Sequence, residues 1–172
     1  MKAAVVVASN RASTGVYEDT TGPLIVDALR AWGFEVGDPA VVGDGDPVAG
    51  AIRAALADGV SVVLSTGGTG INPTDRTPEA TRPLLDRELP GVAEAIRAHG
   101  VAKGVPTATL SRGLAGVSGQ AVIVNLPGSR GGVKDGLEVL ADVLPHAVDQ
   151  LLGGDHPGVG VPPRANGVGG GS

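Results

Sequence analysis

The chain has 172 residues, 42% of them hydrophobic and 2% aromatic, with a net charge of −5 and no cysteine. That is enough chain for one domain with a sizeable core, and too apolar for bulk disorder. It rules out disulfides, thiolate metal centres and a cysteine nucleophile, and argues against nucleic-acid partners, which call for a basic surface or an aromatic stacking platform.

Met1-Lys2 leads into an apolar run at residues 3–8. The run is too short for a signal segment or a membrane span, so it is predicted as a first strand buried on both faces. No membrane partner is expected, and a cytoplasmic location is in keeping with the missing cysteines. A helix follows: Leu24, Ile25, Ala28, Leu29 and Trp32 share one face, Pro23 stands near its start and Gly33 at its stop. Residues 34–42 hold a weaker strand. Asp46-Pro47 opens a second helix, with the acid at the N-cap and proline behind it. Val48, Ile52, Ala55 and Leu56 form its inner face, Gly59 ends it, and residues 60–65 make the third strand.

A glycine loop comes next, Ser65-Thr66-Gly67-Gly68-Thr69-Gly70. Thr77-Pro78 starts another helix, which Pro83 kinks or ends. Residues 90–99 read as a short helix, and residues 107–110 and 121–126 as two short strands. In the last helix Val133, Leu137, Leu140, Leu144, Ala147 and Leu151 repeat at spacings of four and three, with Pro145 predicting a bend. Periodicity is lost from Gly153 onward. The expected organisation is one domain over residues 1–152 and a flexible Gly/Pro-rich tail over residues 153–172.

Alternating strands and helices imply a three-layer α/β/α fold with a mostly parallel central sheet. Such sheets bind ligands beyond the carboxyl ends of their strands. Ser9, Asp44, the glycine loop, Ser111 and Asn125 each follow a strand candidate and are predicted to converge on one edge.

Three groups there carry chemistry. Glycines allow backbone N–H groups to approach an anion, and Thr66 and Thr69 add hydroxyls. The loop is neither a P-loop, lacking lysine after Gly70, nor a dinucleotide fingerprint; an ordinary strand–helix turn remains open. Asp44 and Asp75, after different strands, suit a divalent ion held by few carboxylates plus substrate phosphates; turn formation is the other reading. Ser129 could cap the last helix and aim its N–H groups at an anion, with Arg11 and Arg112 as phosphate partners or plain surface ions. His99, His146 and His156 show no ligand spacing.

Taken together, Val7-Ala8-Ser9-Asn10-Arg11, Thr66-Gly67-Gly68-Thr69-Gly70, Asp75-Arg76-Thr77-Pro78-Glu79-Ala80-Thr81, Leu110-Ser111-Arg112-Gly113 and Asn125-Leu126-Pro127-Gly128 resemble the molybdopterin adenylyltransferase family, the Mog/MoaB-type proteins of molybdenum cofactor synthesis. The resemblance spans about residues 3–152. It implies a homotrimer that binds molybdopterin, adenylylates it with Mg2+ and ATP, and hands the product to a molybdenum-insertion protein. The family's essential acid maps onto Asp75 and its earlier acid onto Asp44, implying metal binding and positioning. Asn10 departs from the family's more frequent aspartate. By the same resemblance Gly67, Gly68, Thr69 and Gly70 hold nucleotide or pterin phosphate. Ser9, Arg11, Thr66, Glu79, Ser111, Arg112, Asn125, Pro127, Gly128 and Ser129 complete the pocket. The alternative within the family is a catalytically silent molybdopterin-binding or carrier module.

Overall fold

The computed structural model describes residues 1–154; the expected tail lies almost wholly outside them. In chain order the elements are β1 (Lys2–Ala8), α1 (Asn10–Ser13), α2 (Gly22–Ala31), β2 (Glu35–Val36), β3 (Ala40–Val42), α3 (Asp46–Ala57), β4 (Val62–Thr66), α4 (Thr77–Thr81), β5 (Arg87–Glu88), α5 (Pro90–Ala102), β6 (Ala115–Ser118), β7 (Ala121–Leu126) and α6 (Arg130–Leu151). They form the expected three layers around a mixed, mostly parallel sheet of seven strands. Its order is β2-β1-β4-β7-β6-β5, with β3 pairing the far end of β1.

The three central strands are apolar on both faces, and their alternation divides the core in two. Val5, Val7, Leu64, Val124 and Leu126 point to one side, where Ile25, Leu29, Ile96, Leu140 and Leu144 from α2, α5 and α6 cover them. Val6, Ala8, Val63 and Ile123 point to the other, under Val48, Ile52 and Ala55 of α3. A fully buried aliphatic side chain contributes roughly 1.5–3 kcal/mol. These continuous apolar strands therefore favour a sheet covered on both faces.

Register then sets up the functional edge. Val7 pairs with Thr66 and Thr66 with Leu126, all in parallel, while Ala8 pairs with Val42. The carboxyl ends of β1, β3, β4 and β7 thus finish side by side.

Several local expectations need correction. Residues 107–110 are not a strand but belong to a 3-10 turn, Pro106–Leu110. Pro106 offers no N–H to a ladder, and Ala108 N–H instead donates to Val105 O at 3.0 Å. The strand near this position is β6, antiparallel to β7; its sequence Ala-Gly-Val-Ser has no readable period. The weak strand at 34–42 is two pieces, split at Gly37-Asp38-Pro39. Gly45, with φ +86°, caps α3, and Asp46 is its first residue rather than its cap. Helix α6 carries Pro145 in its interior, where the sequence placed it.

Candidate functional site

The glycine loop leaves β4 in a conformation that only glycine takes without strain. Gly67 has φ +88° and Gly68 φ +63°. A Cβ on Gly67 would stand 2.3 Å from Ala8 O. The loop is thereby pressed onto the end of β1. Across it, Gly128 approaches so closely that its Cβ would lie 3.2 Å from Gly67 Cα. Thr66 Oγ1 donates to Pro127 O at 2.7 Å and ties β4 to the segment after β7.

This ridge of glycines separates two hollows. One, of about 410 Å³, is lined by Gly70, Asp75, Ser111 and Ser129 among others. The second, of about 330 Å³, is lined by Ser9, Arg11, Tyr17 and Thr21 among others. Gly68 and Gly128 line both. Of the residues expected to converge on this edge, Ser9, the glycine loop and Ser111 line the two compartments, while Asp44 and Asn125 line neither.

Asp44 and Asp75 pack against the two ends of Gly68-Thr69-Gly70. Asp44 Oδ1 accepts from Gly45 N–H at 2.7 Å and from Arg76 N–H at 3.0 Å. Its Oδ2 lies against Gly68, 2.3 Å from the position a Cβ would take. Asp75, the residue before Arg76, has Oδ2 accepting from Asn72 N–H at 3.1 Å and packed beside Gly70. Asn10 Oδ1 accepts from Asp44 N–H at 2.9 Å. Asn10 thus orients the residue carrying the carboxylate, a role that its place in the sequence did not signal. Thr77 Oγ1 is also drawn to Gly68, 2.4 Å from the same Cβ position, and is buried without a hydrogen-bond partner.

Arg112 is wired into the loop from the opposite side. Its Nε donates to Gly70 O at 2.8 Å and its Nη2 to Asp75 O at 2.9 Å, while Nη1 pairs with Glu79. The guanidinium shapes the backbone around Asp75, and its hydrogen bond holds the Glu79 carboxyl below the usual carboxylate range. Arg97 Nη1 supports the next segment, donating to Ser111 O and Gly113 O at 3.2 and 3.1 Å. Nothing in the sequence distinguished it from a surface helix residue.

Asn125 lies within β7, not after it, and is 3% exposed. Its Nδ2 donates to Ser65 Oγ and Thr81 Oγ1 at 2.8 and 3.0 Å, and its Oδ1 accepts from Leu114 N–H at 3.0 Å. Every strong polar atom of the side chain is used in joining β4, α4 and the strand pair. Ser129 caps α6 as expected, its Oγ accepting from Gly132 N–H at 3.0 Å. Ser9 caps α1, with Oγ accepting from Ala12 N–H at 3.1 Å. The exposed Arg11 guanidinium rests 5.3 Å from the Tyr17 ring centroid, a cation–π contact.

Among the described residues, the group of three metal-ligand types in reach of one another is His99, Asp135 and Glu138, between α5 and α6. Lys103 Nζ sits 2.7 Å from Glu138 there. That ammonium supplies the positive charge; it lowers the Glu138 carboxyl and is itself raised. No helix of the described residues is long and apolar enough to cross a membrane.

Comparison with known proteins places these features among relatives. The family described as "Probable molybdopterin binding domain" matches residues 4–146. The chain is 37% identical over 153 residues to the molybdopterin adenylyltransferase of Helicobacter pylori strain J99, across 87% of this chain and 86% of that protein. It is 38% identical over 156 residues to the molybdenum cofactor biosynthesis bifunctional protein of Synechococcus elongatus, covering 90% of this chain and 48% of that protein. The chain thus spans about half the length of such bifunctional relatives. Among solved structures, the molybdopterin biosynthesis Mog protein from Mycobacterium ulcerans superposes with a TM-score of 0.83 at 52% identity, over 87% of this chain and 98% of that one.

Proposed function

This chain belongs to the family of probable molybdopterin binding domains, and from that premise we propose that it catalyses Mg2+-dependent adenylylation of molybdopterin by ATP. Relatives that match most of the chain and are named molybdopterin adenylyltransferase support the reading. The observation that carries it is the placing of two carboxylates, Asp44 against Gly68 and Asp75 against Gly70, on one glycine loop, with Arg76 N–H tying Asp44 to the segment that bears Asp75.

In the reaction the terminal phosphate of molybdopterin attacks the α-phosphorus of ATP. A new P–O–P bond forms, the α–β bridge breaks, and pyrophosphate leaves. A phosphate monoester is already nucleophilic, so no general base is called for. The protein has to bring two anions together and hold the charge that builds on the leaving group.

Asp44 and Asp75 fit a Mg2+ requirement, because that ion takes hard oxygen ligands, keeps several waters, and uses one or two carboxylates beside substrate phosphates. Bound there, it supplies charge neutralisation and stabilises the departing pyrophosphate. The backbone tie from Arg76 N–H to Asp44 fixes one carboxylate against the segment bearing the other. Gly67 to Gly70 and the Ser129-capped start of α6 offer N–H groups to phosphate on either side of the ridge. Arg112 keeps Asp75 in place by holding its carbonyl.

The test is incubation with molybdopterin, ATP and Mg2+, following pyrophosphate and adenylylated product. Turnover is expected, and Asp75→Asn with an unchanged melting curve should lose at least about 100-fold. No pyrophosphate above a protein-free control, with pterin still bound, would establish the silent carrier instead. Full turnover in Asp75→Asn would overturn the metal assignment. The same reading extends to a cytoplasmic homotrimer that passes its product to a molybdenum-insertion protein. Sedimentation velocity tests the trimer.

A further inference from the structure

The 410 Å³ hollow contains a carboxylate that the transfer chemistry does not use. Asp135, in α6, helps line its wall, and its side chain is only 14% exposed. Its nearest cation, Lys103 Nζ, is 3.7 Å away and bonded more closely to Glu138, at 2.7 Å. That long ion pair is the polar contact the described residues give Asp135, and it reaches only Oδ1. A carboxylate has about four lone-pair sites, so one long ion pair leaves Asp135 with acceptor capacity for the N–H groups of a ligand. The other charged side chains of the wall are committed: Arg97 to the carbonyls of Ser111 and Gly113, and Asp75 to the proposed metal end.

The shape of the hollow narrows the ligand. Gly70, Gly100, Gly128 and Gly132 contribute wall without side chains. A Cβ on Gly100 would stand 2.7 Å from Ala108 Cβ, with Asp135 Oδ2 4.0 Å away. Such a wall accepts a flat bicyclic ring. No aromatic residue lines it, so stacking on a side-chain ring cannot orient the ligand, and hydrogen bonds at the ring edge must do so. Asp135 is six residues past the α6 cap Ser129, about 9 Å along the axis. The phosphate-favouring helix start and the carboxylate therefore stand at opposite ends of one slot.

We propose that Asp135 reads the 2-amino and N3–H edge of the pterin ring, accepting both hydrogens side by side, and so sets which heterocycle this hollow takes. The proposal rests on the molybdopterin reading above. A carboxylate matches two parallel N–H donors, and charge-assisted pairs of this kind are the stronger hydrogen bonds. A 2-oxo ring, which turns an acceptor toward Asp135, is rejected.

The experiment measures binding of 6-hydroxymethylpterin and of 6-hydroxymethyllumazine, its 2-oxo counterpart, to the full chain by calorimetry. Wild type is expected to favour the pterin by at least about tenfold. Asp135→Asn should erase that preference while ATP affinity and melting temperature hold, and should raise KM for molybdopterin with little change in kcat. Equal affinity of wild type for the two rings overturns the proposal without any variant. So does a retained pterin preference in Asp135→Asn. Selective pterin binding through Asp135 without pyrophosphate release refutes the transferase reading and keeps this one. Adenylylation by Asp135→Asn at an unchanged molybdopterin KM does the reverse.

Discussion

Replacing Gly68 by alanine puts one methyl group where three functional elements meet. The new Cβ would stand 2.3 Å from Asp44 Oδ2, 2.8 Å from Asp44 Cγ and 2.4 Å from Thr77 Oγ1. Thr77 cannot yield easily, since it is fully buried and its N–H donates to Gly68 O at 3.0 Å. The Asp44 carboxylate has to move, and with it go hydrogen bonds from Gly45 and Arg76. A left-handed backbone at φ +63° costs a non-glycine residue about 1–2 kcal/mol. Losing a charge-assisted hydrogen bond costs a further ~1.5–3 kcal/mol. The expected destabilisation is about 3–5 kcal/mol, or a fall in Tm on the order of 10 °C for a chain of this size. Gly70→Ala is the control. Its φ is outside the left-handed region, and its Cβ would meet only Asp75 Oδ2 closely, at 2.7 Å. That side-chain end can rotate aside, and the hydrogen bond it accepts from Asn72 N–H is exposed and exchanges for one to water, so the cost is about 1 kcal/mol. Thermal and urea denaturation of both variants decide the matter. If Gly68→Ala melts within a degree or two of wild type, or Gly70→Ala melts as low, the packing account of the loop is wrong.

Asn125→Ala should destabilise by about 2–4 kcal/mol, because it leaves Leu114 N–H and the Ser65 and Thr81 hydroxyls without their buried partner; the urea midpoint reads this directly. Arg112→Lys should lower stability by about 2–3 kcal/mol, since an ammonium cannot span Gly70 O, Asp75 O and Glu79 together; a wild-type midpoint would show that the fork is idle. Glu79 supplies a pH-dependent increment. Arg112 lowers its folded pKa below the unfolded value, so the increment is fully present above the ordinary carboxylate range and is lost as pH falls through the depressed folded pKa. The side chain is about half exposed, so the gain is under ~1 kcal/mol. The Tm gap between wild type and Glu79→Gln should be small at neutral pH and close in acid; a gap that widened in acid would contradict the assigned pairing.

Much of this molecule can be read locally. Residues 3–8, 62–64 and 121–124 are apolar without a break, and burial on both faces is the setting for such runs. The heptad-like spacing of Val133, Leu137, Leu140 and Leu144 gives α6, and Ser129 gives its cap. The glycine pair after β4 signals a turn that only glycine can make, and the order of motifs identifies the kind of loop. Strand β6 escapes this reading, since Ala-Gly-Val-Ser acquires its identity only by pairing with β7. The strand expected at 107–110 fails because three β-compatible residues say nothing about the turn that Pro106 imposes.

By itself the sequence determined the layers, the parallel centre and the set of residues near one sheet edge, because periodicity, caps and glycines act within a few residues of chain. Only the tertiary structure decided how each side chain is used. It spent Asn125 on Ser65, Thr81 and Leu114, and turned Arg112 into a brace for Gly70 and Asp75. It joined Asp44 to the segment bearing Asp75 through Arg76, split the edge into two hollows along a glycine ridge, and placed Asp135 in the wall of one of them with only a long ion pair to Lys103. A polar side chain's role is set by which donors and acceptors reach it, and here those partners come from segments distant in the chain, brought together by the packing of the sheet.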